Sequence, residues 1–378
     1  MKKVLAVIVS VFSLMCLLIS CSNDSTLDEV FNATVTFDGN GATAGEMTVQ
    51  TVGLGKEARL NANSFEKTDF DFVGWNTESD GSGKPYEDGQ KIKVAGNITL
   101  YAQWEIVPII LDDNSVHWTD GNVYILNSDV TIDYDIIVSG SVTLILNDGC
   151  TLTASYGITV NVGNSLTINA SGEGTGTLEV PEFFGGGAGI GGDNGCACGT
   201  ITINGGTVNA ISKSGGAGIG GGYNGAGGTI TINGGTVNAS GYGGAGIGGG
   251  EDGVGGTITI NGGTVNASGT GGGAGIGGGY GGACGTITIN DGTVNASGIE
   301  GGAGIGGGYD GAGGTITIND GTVNASGISG FAGIGRGLGG TDDGTLKLGS
   351  GVSLEVSSDG SDWSDYDGTT RQMYMRTK

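Results

Sequence analysis

From residue 186 to 337, apolar residues return at two nested intervals. Within a stretch such as Thr200-Ile201-Thr202-Ile203 they alternate with polar residues, and the whole pattern then recurs about every 29 positions. Ile190, Ile219, Ile247, Ile276, Ile305 and Ile334 mark the longer beat, at intervals of 29, 28, 29, 29 and 29. Alternation of period two predicts strands with one buried face. A fixed longer period means that each unit buries its apolar side chains against the copies before and after it, so the chain stacks as a solenoid. In the unit that starts at Gly199, Ile201, Ile203, Val208 and Ala210 point inward, Ala217 and Ile219 supply a third inward stretch, and Thr200 and Thr202 point out. Three short strands joined by bends predict one rung of a parallel β-helix. The asparagines before Gly-Gly or Asp-Gly (Asn204, Asn233, Asn261, Asn290 and Asn319) suit a bend, because asparagine tolerates the left-handed region and glycine enters it freely. Stacked, they should also bond to one another along the axis.

On either side the pattern loosens. Residues 109–184 carry less regular strands, such as Val142-Thr143-Leu144-Ile145-Leu146, and residues 345–378 form a polar tail with aromatics. These predict opening rungs and a closing cap, in all roughly nine rungs extending on the order of 40 Å at the usual strand spacing.

Residues 33–104 have no repeat of their own. Alternation in Thr34-Val35-Thr36-Phe37 and Ile98-Thr99-Leu100-Tyr101 predicts half-buried strands, with turn chemistry in Asp38-Gly39 and Asn40-Gly41. The blocks VTFDGNGA, FVGWNT, DGSGKPYEDG and ITLYAQW, in that order, resemble the internalin B repeat, also called the Listeria-Bacteroides repeat. The resemblance implies a small β-grasp-like module of bacterial surface proteins, a spacer or adhesive unit without catalytic activity. Trp75 and Trp104 are expected in its core rather than as sugar platforms. Further on, the block from Asn122 through Leu178 and the GAGIGGG/TITINGGTVNAS rungs are similar to the right-handed β-helix repeats of bacterial surface proteins described as carbohydrate-binding. The fold expected is therefore all-β, a right-handed parallel β-helix solenoid behind a small β-grasp-like module.

At the amino terminus, Lys2 and Lys3 precede an apolar run from Val4 to Ile19, the order of a secretory signal. Leu18-Ile19-Ser20-Cys21 resembles the bacterial lipobox, which implies that Cys21 is acylated and becomes the first mature residue. Acyl chains hold a protein on a membrane through burial of their methylenes. The expected organisation is a signal peptide at 1–20, a tether at 21–32, the module at 33–105 and the β-helix at 106–378, with regular rungs at 186–337 and a cap at 341–378. The expected location is the cell surface, lipid-anchored to the outer membrane or to the outer face of the cytoplasmic membrane. No second segment of about 20 apolar residues is present, so membrane contact is expected through the anchor only.

Composition narrows the rest. Glycine supplies 86 of 378 residues but proline only 3, which fits neither collagen nor a proline-rich linker. A disordered glycine-rich tract would let apolar positions drift, whereas Ile, Val and Ala here keep their places. With 14 basic against 38 acidic residues and the single histidine His117, no basic face exists to neutralise phosphates, so nucleic acid is not an expected partner. Outside the leader region stand Cys150, Cys196, Cys198 and Cys284. Cys198 and Cys284 occupy one slot three rungs apart, about 14 Å and beyond disulfide reach. No paired CxxC spacing suggests a metal.

Candidate chemistry lies at the turn after each GIGG run. One slot reads Tyr223, Glu251, Tyr280 and Tyr309, and the next reads Asn224, Asp252, Gly281 and Asp310. A column of tyrosines at rung spacing is comparable with the spacing of sugars in an extended glycan. Tyr223, Tyr280 and Tyr309 are candidates for stacking on sugar faces, with Asn224, Asp252 and Asp310 accepting hydroxyl hydrogen bonds. The expected partner is a polysaccharide or a glycan on a host or neighbouring cell. The alternative is an ordinary turn in which tyrosine covers glycine-rich backbone, and the whole solenoid is then a structural stalk.

No cofactor is expected. Calcium is the alternative use of the turn carboxylates, although the GGxGxDxUx nonapeptide of calcium-binding rolls is not matched. A polysaccharide lyase would need a basic residue amid clustered carboxylates, and the regular rungs offer only Lys213 and Arg336, at opposite ends. An enzyme is not expected and no catalytic residue is nominated. The outward Thr-x-Thr file resembles that of β-helical ice-binding proteins, but threonine is also a favoured strand residue.

Overall fold

The computed structural model describes residues 31–327, 332–366 and 374–378. The leader-like segment and Cys21 lie outside the described residues. Every regular element among the described residues is a strand, and the chain divides after Val107 into two compact units.

The first unit is built on a five-stranded mixed sheet in the order Gln50–Gly53, Asn32–Asp38, Ile98–Ile106, Phe70–Asn76, Pro85–Tyr86. Its first and last long strands run parallel at the centre, pairing Val35 with Ile98 and Asp38 with Tyr101. This closes the ends of the module on each other. Trp75 is 1% exposed, with the rings of Phe37 and Phe72 each 4.9 Å away. Trp104 is partly buried and donates its Nε1–H to the Gly39 carbonyl at 2.9 Å. Both tryptophans thus serve the core and its edge.

The second unit is a parallel β-solenoid with three sheets. The first sheet carries the Thr-Ile-Thr-Ile strands, such as Thr257–Ile260. The second carries the Thr-Val-Asn-Ala strands, such as Thr264–Thr270. The third is made of two-residue Ile-Gly strands such as Ile276–Gly277. In the regular rungs the register is in phase, so that like stacks on like: Ile258 on Ile287, Val265 on Val294, Ile276 on Ile305. Ile258, Ile260, Val265 and Ile276 are all fully buried. Among the described residues eight rungs contribute a strand to every sheet, joined by seven steps, with partial rungs at 109–118 and 345–348. The complete rungs are one fewer than the repeat pattern predicts, because the ends give up strands to their caps. At the start, Trp118 stacks on Tyr124 with centroids 5.2 Å apart and fills the first layer. At the end, Tyr374–Thr377 turns antiparallel against Asn324, Ala325 and Ser326, and Leu354–Ser357 pairs with it. That reversal ends the parallel ladder of the second sheet.

Glycine abundance has a steric origin. A Cβ on Gly250 would overlap the carbonyl oxygen of Gly222, one on Gly279 that of Gly250, and one on Gly308 that of Gly279. Backbone at this corner is packed against backbone, and only hydrogen fits between the layers.

The asparagine stack forms as predicted. Asn319, Asn290, Asn261 and Asn233 each donate Nδ2–H to the Oδ1 of the preceding one at 2.7 Å. A second stack runs up the outer face of the second sheet, Asn324 to Asn295 to Asn266 to Asn238 to Asn209, at 2.7–2.9 Å. Every amide in it donates toward the amino-terminal side, and Asn209 ends the series by donating to Glu179 Oε2 at 2.7 Å. A carboxylate thus receives the donor end of a row of aligned amide dipoles, where a charged acceptor is strongest.

Candidate functional site

The turn slots selected from the sequence do form a column. Asn224, Asp252 and Asp310 have φ of 57°, 58° and 60°, and Gly281 in the same slot has 74°. The left-handed region accounts for the restriction to Asn, Asp and Gly. The Asp252 carboxylate lies over Gly281 of the next rung and that of Asp310 over Gly339. A side chain in one layer therefore occupies the space above a glycine in the next.

Tyr223, Tyr280 and Tyr309 lie against Gly215, Gly272 and Gly301, where a Cβ would strike the ring edge. Each also ties its backbone N–H to the bend of the rung before, Tyr223 to Gly186, Tyr280 to Gly243 and Tyr309 to Gly272, at 2.7–2.8 Å. Tyr280 and Tyr309 stack on each other at 5.2 Å with planes 6° apart. Glu251 interrupts the column between Tyr223 and Tyr280, its carboxylate over Gly243. The rings are half-exposed, but the facing sides of Tyr280 and Tyr309 are used on each other.

Two surfaces were not singled out by the sequence. The first is an aromatic ledge on the opening rungs. Tyr134 and Tyr156 each follow by two the register-matched residues Ile132 and Ala154, and Phe184 lies at the corresponding bend one rung further. They are 66%, 53% and 67% exposed. A hollow of about 640 Å³ joins Tyr156, Phe183 and Phe184 to Asp133, Ser155 and Glu182, and another of about 420 Å³ joins Tyr134 to His117 and Asp135. Ser155 donates to Asp133 at 2.6 Å, and Lys213 pairs with Glu182 at 3.4 Å. Burial, and secondly the charge of Asp193, pushes the Asp135 carboxyl above its ordinary range. The pattern missed the ledge because these aromatics stand in bends outside the 29-residue beat.

The second is a trough on the outer face of the second sheet. Asn266, Asn295 and Asn324 form one side and Ser268, Ser297 and Ser326 the floor, around a cavity of about 430 Å³. Trp363 and Arg376 of the cap wall its end, the guanidinium carbon 3.9 Å from the ring centroid. Glu355 accepts from Arg376 Nε and Nη2 at 3.0 and 2.8 Å. The recurring Asn and Ser of TVNAS were the available signal, but their strand's outer face reads as ordinary solvated surface until the cap is placed.

No group of three or more His, Cys, Asp or Glu side chains suited to a metal occurs among the described residues. The carboxylates with lowered pKa are loop organisers: Asp80 through hydrogen bonds from the Ser82 hydroxyl and backbone, Asp148 through backbone hydrogen bonds from Glu173 and Thr175, Asp359 through those from Ser361 and Asp362. Among the described residues no cysteine is in a disulfide, and Cys198 and Cys284 are buried.

Comparison with known proteins agrees with this architecture. Residues 34–103 match the family model of the Listeria-Bacteroides repeat domain, and five segments, 201–223, 230–251, 258–280, 287–309 and 316–335, match that of the β-helix repeat. The chain thus joins a Listeria-Bacteroides repeat module to β-helix repeats. It is 37% identical over 91 residues to a protein of Evansella cellulosilytica whose name describes it as a Gly-rich membrane protein. The match covers 22% of this chain and 10% of that protein, so the chain spans about a tenth of its relative's length. No solved structure matches. These likenesses fit a surface protein.

Proposed function

We propose that the protein is a non-catalytic adhesin of the bacterial cell surface that binds polysaccharide on its solenoid. The observation that carries this reading is the aromatic ledge. Tyr134, Tyr156 and Phe184 stand at matching bends of consecutive rungs and are more than half exposed, and rigid aromatic faces in a row are suited to the apolar faces of successive sugars. Asp133 and Ser155 beside them offer partners for sugar hydroxyls. The turn column of Tyr223, Tyr280 and Tyr309 with Asn224, Asp252 and Asp310 is a second, weaker contact, since two of its rings already spend faces on each other. Membrane attachment through acylated Cys21 completes the reading, in keeping with the surface-repeat match and the membrane protein relative.

The test is affinity electrophoresis of the mature chain in gels containing polysaccharides, comparing wild type with the triple variant Tyr134→Ala/Tyr156→Ala/Phe184→Ala. Loss of retardation in the variant supports the reading, whereas failure of the wild type to be retarded by any polymer leaves a structural stalk. The stalk is favoured by one observation, that the asparagines of each stack already bond one another along the axis. Radiolabelled palmitate incorporation that persists in Cys21→Ser would remove the anchor.

A further inference from the structure

The trough on the second sheet is separate from the ledge, and it rests on the same reading of the protein as a polysaccharide binder. It is longer than its deepest part. A second depression, of about 260 Å³, is lined by Glu179, Asn209, Asn238 and Ser240 and shares Asn266 with the first. Together they run along one face from the rung of Glu179 to the rung of Asn324, five steps or about 24 Å.

We infer that this trough is the seat of a neutral polysaccharide with an extended backbone, whose chain end or bend is met by the stacked Trp363 and Arg376. Three features select that ligand. The first is the chemistry of the lining. Asn238, Asn266 and Asn295, inside the ladder, each use one Nδ2–H and one Oδ1 lone pair on their neighbours, and an amide has a second donor and a second lone pair to offer. The serine hydroxyls beside them both donate and accept, and Ser297 bonds Ser268 at 3.3 Å. A lining in which these donors and acceptors are set into mainly apolar surface, from Ala267, Ala296, Ile211 and Met375, matches a sugar, whose hydroxyls both donate and accept and whose ring faces are apolar.

The second feature is charge. Among the described residues, the one cation in the lining, Arg376, is already held by Glu355 at 2.8 Å, and the one carboxylate, Glu179, accepts the end of the amide row. The chain as a whole carries a formal charge of −24, so a polyuronate would be repelled as it approached. The third feature is repetition. The Asn-Ala-Ser triplet recurs in register on every rung from Thr236–Tyr242 to Thr322–Gly327, and a polymer of identical sugars can use identical contacts in series. The indole supplies a flat apolar wall where the series stops.

The mature chain is run in native gels containing hydroxyethylcellulose or galactomannan as neutral polymers, or polygalacturonate as the anionic one. The expected result is retardation by a neutral polymer and none by polygalacturonate. Trp363→Ala and, independently, Ser297→Gln, which fills the floor of a regular rung without touching the cap, should each weaken binding to the neutral polymer by about tenfold or more. Both are checked for an unchanged thermal transition. Retardation by neutral polymer that survives in two folded variants overturns the assignment. An effect confined to the ledge variant also overturns it, while leaving polysaccharide binding in place. Retardation by polygalacturonate alone refutes the neutral ligand, and no retardation by any polymer defeats both readings.

Discussion

The two units bury apolar surface by opposite strategies. In the module, each contact is unique: Trp75 meets Phe37, Phe65 and Phe72, drawn from three separate parts of the chain. In the regular rungs of the solenoid contacts are repeated, and inward isoleucines such as Ile258 and Ile276 rest on their own copies. A unique core is vulnerable at its largest side chain. A repeated core shares the removal of a side chain among layers, but its layer spacing is set by backbone ladders and cannot dilate at one place. The difference predicts where each unit breaks.

The largest effect is expected at a glycine that holds nothing. A Cβ on Gly279 would overlap the Gly250 carbonyl oxygen, whereas one on Gly96 in the module meets nothing within 4 Å. Gly279→Val should destabilise the solenoid by more than about 4 kcal/mol, in the range reserved for core clashes, and Gly96→Ala should stay within about 0.5 kcal/mol. Calorimetry reads both, and a wild-type solenoid transition in Gly279→Val would show that layers can part.

Trp75→Ala tests the other half. Truncating a fully buried tryptophan typically costs about 3–5 kcal/mol, which is enough to unfold a module of this size. The module's apolar cluster contains no solenoid residue, so its transition should fall or vanish while the solenoid's stays in place. A single shared transition that moves as a whole would mean that the units are energetically one.

Buried thiols give the solenoid a pH limit that the module lacks. Burial pushes Cys198 and Cys284 from 9.0 up to about 12. Above pH 9 the unfolded chain releases these protons while the fold retains them. The stability tied to the thiols is therefore complete below pH 9 and is lost as pH rises toward 12, at up to about 1.4 kcal/mol per pH unit for each thiol. Melts between pH 9 and 12 should show a steeper decline for wild type than for Cys198→Ala/Cys284→Ala. Equal slopes would show that the thiols titrate alike in both states.

The same contrast explains what could be read in advance. The repeat made the solenoid legible because each inward residue, such as Ile201 or Val208, is specified by position within the period, and averaging over copies removes accidents. The Asn204 series was legible for the same reason. The steric demand at Gly250 was not, because a glycine chosen for layer contact looks the same in sequence as one chosen for a bend. Tyr134, Tyr156 and Phe184 escaped because opening rungs vary in length, so bends align only once strands are paired. Trp363 and Arg376 escaped because their partner rows lie some 40 to 110 residues upstream, and antiparallel closure of a cap leaves no periodic trace. The turn column was found as a column, but its left-handed φ at Asn224, Asp252 and Asp310 shows that backbone geometry alone is enough to select those residues.

The smallest effect separates the units most finely, since it compares one residue type in both. Asn76 is 5% exposed and donates Nδ2–H to the Gly81 carbonyl at 2.9 Å while its Oδ1 accepts from Glu78 N at 3.0 Å. Asn266 also makes two ladder bonds, at 2.7 and 2.9 Å, but on an exposed face. Removing Asn76 strands buried polar groups without water, at about 2 kcal/mol, whereas the neighbours of Asn266 can turn to solvent, leaving about 0.5–1 kcal/mol. Asn76→Ala and Asn266→Ala compared in one denaturant series decide the point. Equal losses would mean that the amide row is cooperative beyond its pairwise bonds, because an exposed asparagine would then carry the weight of a buried one through its neighbours.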